Sequence, residues 1–285
     1  MTMVANCSVD SRAYAFVYRI RGAQDVPADF SLHADFRNLR SGVFLPQDQA
    51  GWFSKPRYPA RVLLLFSDCI VIASHLSAAE SEIRLPLGEV LTIESSKMLL
   101  DGRVTLHVPG SRYTCRYNTR DARHVDDFLF YLREALLREK TSSGTGLCCF
   151  GDSLDLKFAT AESRELDGRE QLLLRFFTLP EHSVGKHWVF RREHWKPGDY
   201  IGVTTRRLLW ISDGDNGTRD PYGTVSRYAP LSRLVSTIVN RHEPGCELVM
   251  VIGNDLLWRV PVPADLHGEV ESFAGKLRRI HLDMH

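Results

Sequence analysis

The spacing of apolar positions alternates between two periods along the chain. Short β-branched and aliphatic runs at Arg61–Phe66 and Cys69–Ser74 are broken at Ser67-Asp68, where aspartate suits a tight turn. Strand-length runs follow at 81–85, 89–95, 103–108 and 112–117, with the turn dipeptides Asp101-Gly102 and Pro109-Gly110 between them. This spacing predicts an antiparallel meander rather than βαβ units. Val125, Phe128, Leu129, Leu132 and Leu136 then fall on one face of a helix, with Thr119 placed to cap it. The scheme returns. Tyr200–Thr205 and Arg207–Ser212 predict a hairpin, and 231–240, 246–252 and 256–262 continue a meander. Leu266, Val270, Phe273, Leu277 and Ile280 predict a closing helix, with Pro263 near its start. Shorter helices are expected at 35–42 and 167–177.

The return reads as an internal duplication. Leu45-Pro46 aligns with Leu179-Pro180, Trp52 with Trp188, and the 65–72 segment with 203–210. Pro86-Leu87 aligns with Pro230-Leu231, and Val125, Phe128 and Leu132 with Val270, Phe273 and Leu277. The separation widens in steps, and only where loops are expected; the largest step crosses the Gly-, Asp- and Asn-rich 212–228 segment. Between the copies, Lys140-Thr141-Ser142-Ser143-Gly144-Thr145-Gly146 has the composition of a flexible tether. The expected organisation is a first domain at 1–139, a linker at 140–165 and a second domain at 166–285.

About seven short strands closed by one helix, twice, resembles the pleckstrin-homology (PH) superfold, and bacterial PH-like and GRAM-like domains most of all. The segment 203–210, Val-Thr-Thr-Arg-Arg-Leu-Leu-Trp, resembles their hairpin, in which a Thr-x-x-Arg turn precedes an aliphatic strand; the first copy has Ser67-Asp68-Cys69 there instead. The resemblance implies a mainly β, α+β fold: two seven-stranded antiparallel barrels or sandwiches, each capped by a helix. It also implies a non-enzymatic binding or scaffold role.

Composition narrows the classes. The 285 residues are 44% hydrophobic and 25% charged, which excludes disorder and coiled coil for the whole chain. A formal net charge of +1 argues against general nucleic-acid binding. The N-terminus lacks the pattern of a secretory signal, and the longest apolar runs fall far short of the roughly 20 residues of a membrane span. The expected location is cytoplasmic, with peripheral membrane attachment as the alternative.

Candidate chemistry is sparse. Phe150-Gly151-Asp152-Ser153-Leu154-Asp155 is similar to the first block of GDSL esterases, in which Ser153 would be the nucleophile. Gly253-Asn254-Asp255 and Asp265-Leu266-His267 each miss a residue of that family's other blocks, and no βαβ alternation is expected around Ser153. Neither the 11 histidines nor the six cysteines have metal-ligand spacing, so no metal or cofactor is expected. The remaining signal is the basic, aromatic stretch 186–196. In the PH resemblance it spans the first strand and the loop where many PH domains bind phosphoinositides. Lys186, Arg191, Arg192, Trp195 and Lys196, with Arg206 and Arg207 at the following turn, are the candidate ligand-binding residues. The expected partner is an anionic phospholipid surface or another protein. Assembly of copies through the sheets is a third possibility.

Overall fold

A computed structural model of the chain describes residues 16–30, 32–47, 58–76, 79–98, 100–137, 147–166, 170–185, 192–196, 198–213, 223–243 and 245–284. The chain forms two compact units that do not follow chain order. The first comprises Met1–Leu87, Leu100–Gly102 and Cys115–Ala135; the second comprises Gly88–Leu99, Arg103–Thr114 and Leu136–His285.

In the first unit, β1 (Tyr18–Ile20), β2 (Ser41–Leu45), β3 (Ala60–Leu65), β4 (Cys69–Leu76) and β5 (Ala79–Pro86) form an antiparallel meander in that order. The expected turn at Ser67-Asp68 is closed by the Phe66 N–H donating to the Cys69 carbonyl at 2.9 Å. Both faces of this sheet are buried, which is why its central strands read as continuous apolar runs rather than alternating ones. Phe44, Val62, Leu64, Val71 and Ala73 pack on one face beneath Phe30, Leu32, Phe36 and Leu39. Val43, Leu63, Leu65, Ile70, Ile72 and Leu85 are buried on the other. Helix α1 (Ala122–Leu136) buries Val125, Phe128, Leu129 and Leu132, as its spacing requires. The cap at its entry is Asn118 rather than Thr119: the Asn118 side chain accepts from the Arg120 N–H and opens a 3-10 turn ahead of the helix.

The second unit holds β6 (Thr92–Met98), most of β7 (Asp101–Val108) and part of β8 (Ser111–Asn118). It also holds β9 (Cys148–Gly151), β10 (Leu172–Thr178), β11 (Glu181–Gly185), β12 (Arg192–Lys196), β13 (Asp199–Thr204), β14 (Arg207–Asp213), β15 (Thr224–Pro230), β16 (Leu234–His242), β17 (Gly245–Ile252) and β18 (Leu256–Pro263). Its helices are α2 (Leu156–Glu165) and α3 (His267–Leu282). An eight-stranded sheet runs β8-β7-β6-β15-β14-β13-β10-β9; β11–β12 and β16-β17-β18 form separate sheets. The core gathers Phe176, Ile201, Leu208, Trp210, Leu248, Met250, Trp258 and Val260 under Val270, Phe273 and Leu277 of α3. Each such side chain contributes roughly 1.5–3 kcal/mol by leaving water.

The element order repeats. Strands β2–β5, a 3-10 turn at Leu87–Glu89, strands β6–β8, a 3-10 turn at Thr119–Asp121 and α1 make the first series. Strands β10 and β13–β15, a 3-10 turn at Leu231–Arg233, strands β16–β18, a 3-10 turn at Ala264–Leu266 and α3 make the second. One hydrogen bond recurs at equivalent positions: Leu87 N–H to the Asp68 carbonyl and Leu231 N–H to the Arg206 carbonyl, both 2.8 Å.

Several expectations change. Among the described residues the sheets are open and no barrel closes. The segment 35–42 and the described part of 167–177 are not helices: the first is a 3-10 turn (Phe36–Asn38) leading into β2, and residues 170–177 lead into and form most of β10. A short apolar run buried on both sides carries no period that separates strand from helix. The segment read as a linker holds β9 and α2, because Phe150 packs on the Phe273 ring and Phe158 is 1% exposed against Phe177. Strand β9 runs parallel to β10 with α2 between them, a βαβ unit that the sequence pattern did not suggest.

Candidate functional site

The basic stretch is brought together only in part. Lys186 and Arg191 lie outside the described residues. Arg192, Trp195 and Lys196 sit on β12, which pairs antiparallel with β11 and sets Gly185 opposite Arg192, His182 opposite Trp195 and Glu181 opposite Lys196. This hairpin is inserted between β10 and β13, the position at which the resemblance expected a ligand loop.

Arg206 and Arg207 take part in the β13–β14 turn and its packing. The Thr204 hydroxyl accepts from the N–H groups of Arg206 (3.1 Å) and Arg207 (3.0 Å), which forms the β13–β14 turn. The same hydroxyl donates to Glu170 Oε2 at 2.6 Å, and Arg207 Nε donates to that oxygen at 2.9 Å. Arg207 and Glu170 side chains are 4% and 0% exposed, so the guanidinium is committed to a buried pair and cannot reach a phosphate. Arg206 donates to the Leu137 carbonyl. The Thr-x-x-Arg turn is thus a fold-holding device.

The Ser153 region has a parallel strand leading into a helix, but its groups serve the backbone. Gly151 has φ +82°, and a Cβ there would meet the Phe177 carbonyl oxygen at 2.0 Å. Its N–H donates to the Glu269 carboxylate, which puts negative charge where an oxyanion would need donors. Asp152 accepts from Leu179 N–H at 2.9 Å, and Asp155 caps α2 through the Lys157 N–H. His267 pairs with Glu271 at 3.4 Å. Ser153 itself is exposed.

Buried polar groups lie on both faces of the eight-stranded sheet. Trp210 Nε1 donates to Asp199 Oδ1 at 2.7 Å, and the Arg227 guanidinium lies 4.1 Å over the Trp210 ring and bonds Glu94 at 2.8 Å. Burial pushes the Asp199 carboxyl up to about 7; the Trp210 bond and Arg227 oppose this, and Asp213 adds to it. Arg175 forks onto Glu162 with bonds of 2.9 and 2.6 Å, and the Tyr200 hydroxyl donates to the same carboxylate. Burial and Glu162 push the Tyr200 phenol upward. Asp199 and Tyr200 are 2% and 0% exposed, so both belong to the interior.

The second unit leaves the edge of β16 open beside a groove. Among the described residues this strand pairs with β17 alone, and α3 packs alongside it. An open groove of about 620 Å³ is lined by Thr237, Ile238, Val239, Glu271 and Arg278. Arg278 Nε donates to the Thr237 carbonyl at 3.0 Å, and Gly253 N–H donates to the Arg233 carbonyl at 2.8 Å. Gly253, and with it Val251, Val249 and Glu247 of β17, faces β16; across the register shift between Leu234 and Ser236 these meet Ser236, Ile238 and Asn240, so Thr237, Val239 and Arg241 direct their backbone groups to the edge, where Arg278 takes the Thr237 carbonyl. Ile238 and Val235 are 47% and 52% exposed. The residue periodicity located this strand; its lack of a second neighbour is a property of the tertiary pairing and left no mark in the sequence.

Among the described residues, no group of three or more His, Cys, Asp or Glu side chains could hold a metal ion. No helix there is long and apolar enough to cross a membrane. No protein-family model and no curated protein matches the chain.

Proposed function

We propose that the chain is a non-enzymatic binding protein built of two PH-like copies, and that its recognition surface is the open edge of β16 beside α3. The twofold series of four strands, three strands and a closing helix supports the PH-like reading. The observation that carries the binding reading is a strand edge with outward N–H and C=O groups, flanked by a groove and by the exposed Ile238. An extended segment of a protein partner adds to such an edge as a further strand: main-chain bonds supply affinity and alternate side chains supply selectivity. Burial of Arg207 in its pair with Glu170 weakens the phosphate-binding alternative, which then rests on the β11–β12 hairpin alone.

The test is selection of extended peptides from a display library against the full chain, followed by titration against Ile238→Asp. Binding that Ile238→Asp abolishes while the melting curve is retained supports the reading. Peptides that bind both proteins equally contradict it. Flotation with neutral and anionic vesicles addresses the alternative: salt-sensitive binding to anionic vesicles, lost in Arg192→Ala with Lys196→Ala, would favour a membrane role.

A further inference from the structure

We propose that the occupant of the β16 edge is a second copy of this chain, presenting β5. The inference rests on the reading of β16 as a docking edge and adds the identity of the partner. The chain already contains the contact once. Within the second unit, β6 of the first series pairs antiparallel with β15 of the second, setting Tyr228 opposite Ile93, Arg227 opposite Glu94, Ser226 opposite Ser95, Val225 opposite Ser96 and Thr224 opposite Lys97. In the duplicated order, β5 is the counterpart of β15 and β16 the counterpart of β6. Among the described residues both counterparts are terminal strands of their sheets. The duplication therefore makes two complementary edges twice and pairs only one set within the chain.

The register transfers through the shared Pro-Leu step and the 3-10 turn after it. It sets Arg84 opposite Thr237, Ile83 opposite Ile238, Glu82 opposite Val239, Ser81 opposite Asn240 and Glu80 opposite Arg241. Backbone directions agree with this register. The Leu87 N–H bond to Asp68 turns the backbone groups of Leu85, Ile83 and Ser81 toward β4, leaving those of Arg84, Glu82 and Glu80 on the free edge. These meet the outward groups of Val239 and Arg241; at Thr237 the carbonyl is already held by Arg278. The chemistry agrees too. Where the internal junction has the Arg227–Glu94 ion pair, the transferred one has two isoleucines, the half-buried Ile83 and the 47% exposed Ile238. Each chain carries one β5 and one β16, so the contact is heterologous and either closes into a ring or propagates.

Light scattering on the full chain over a concentration series is the first test. The expected result is a mass rising above the 32.4 kDa of one chain, with Ile238→Asp remaining at one chain while keeping its melting curve. The register is tested by mixing Ser81→Cys chains with Asn240→Cys chains under mild oxidation. The facing, non-hydrogen-bonded pair has the separation a disulfide requires and should cross-link, whereas Ser81→Cys mixed with Ser236→Cys should not. A mass of one chain at every concentration, association unaffected by Ile238→Asp, or equal cross-linking of both mixtures would overturn the proposal. A chain that stays monomeric yet binds selected peptides through Ile238 would remove the self-pairing and leave the docking edge standing; failure of both would remove the edge.

Discussion

Replacing Asp199 by Asn should change the pH dependence of stability more than any other single substitution in the eight-stranded sheet. Asp199 is 2% exposed, and its carboxyl is raised from 3.8 to about 7, chiefly by burial. The native state therefore binds more protons than the unfolded state between these two values, and stability falls as pH rises through that window. The contribution is fully present below the unfolded value and lost above the folded one. A separation of about three pKa units corresponds to about 4 kcal/mol. Asn keeps an oxygen to accept the Trp210 N–H at the Asp199 position and carries no charge at any pH. Arg227 and Asp213, which act on the carboxyl, and Thr178, whose hydroxyl accepts the Asp199 backbone N–H, are untouched. Urea unfolding of both proteins from pH 4 to pH 8 gives the difference directly. The variant should gain about 4 kcal/mol on the parent across that range and be the more stable protein at pH 8. Stability curves that stay parallel from pH 4 to pH 8 would refute the reasoning.

Three further outcomes follow from packing. Phe158→Ala removes a side chain 1% exposed against Phe177 at a ring separation of 4.9 Å; urea unfolding should show a loss of about 3–5 kcal/mol, whereas a residue in a tether would cost nothing. Arg207→Ala leaves the Glu170 carboxylate buried and uncompensated, and denaturant midpoints should record a loss of about 3–5 kcal/mol. Thr237→Val removes a buried hydroxyl that has no hydrogen-bond partner among the described residues; thermal melting should show an unchanged or higher stability, by up to about 1 kcal/mol.

The sequence carried local periods well and pairings poorly. Val125, Phe128 and Leu132, and their counterparts Val270, Phe273 and Leu277, announce α1 and α3 because one buried face forces a 3.6-residue spacing. The hairpins at Ser67-Asp68 and Thr205-Arg206 were equally legible through their turn residues. Strand β10 was not: Leu172–Phe177 is flanked by β9 and β13 and contributes Leu173, Leu174, Phe176 and Phe177 to the interior, so no alternation survives. The pairing of β6 with β15 joins residues more than a hundred positions apart, and nothing local in either strand encodes it. Arg207 illustrates the limit for function. Its place in a Thr-x-x-Arg turn suggested a ligand, but its partner Glu170 lies 37 residues earlier and only folding reveals the pair.

Amide hydrogen exchange at β16, compared with β6, tests the docking edge most directly. In dilute chain the Val239 and Arg241 amides should exchange quickly, while the edge of β6, occupied by β15, stays protected. Raising the chain concentration, or adding a selected peptide, should slow exchange at Val239 and Arg241 and leave the inward amides of β17 unchanged. Amides of β16 that are as protected in dilute chain as those of β6, or that respond to neither addition, would contradict the account.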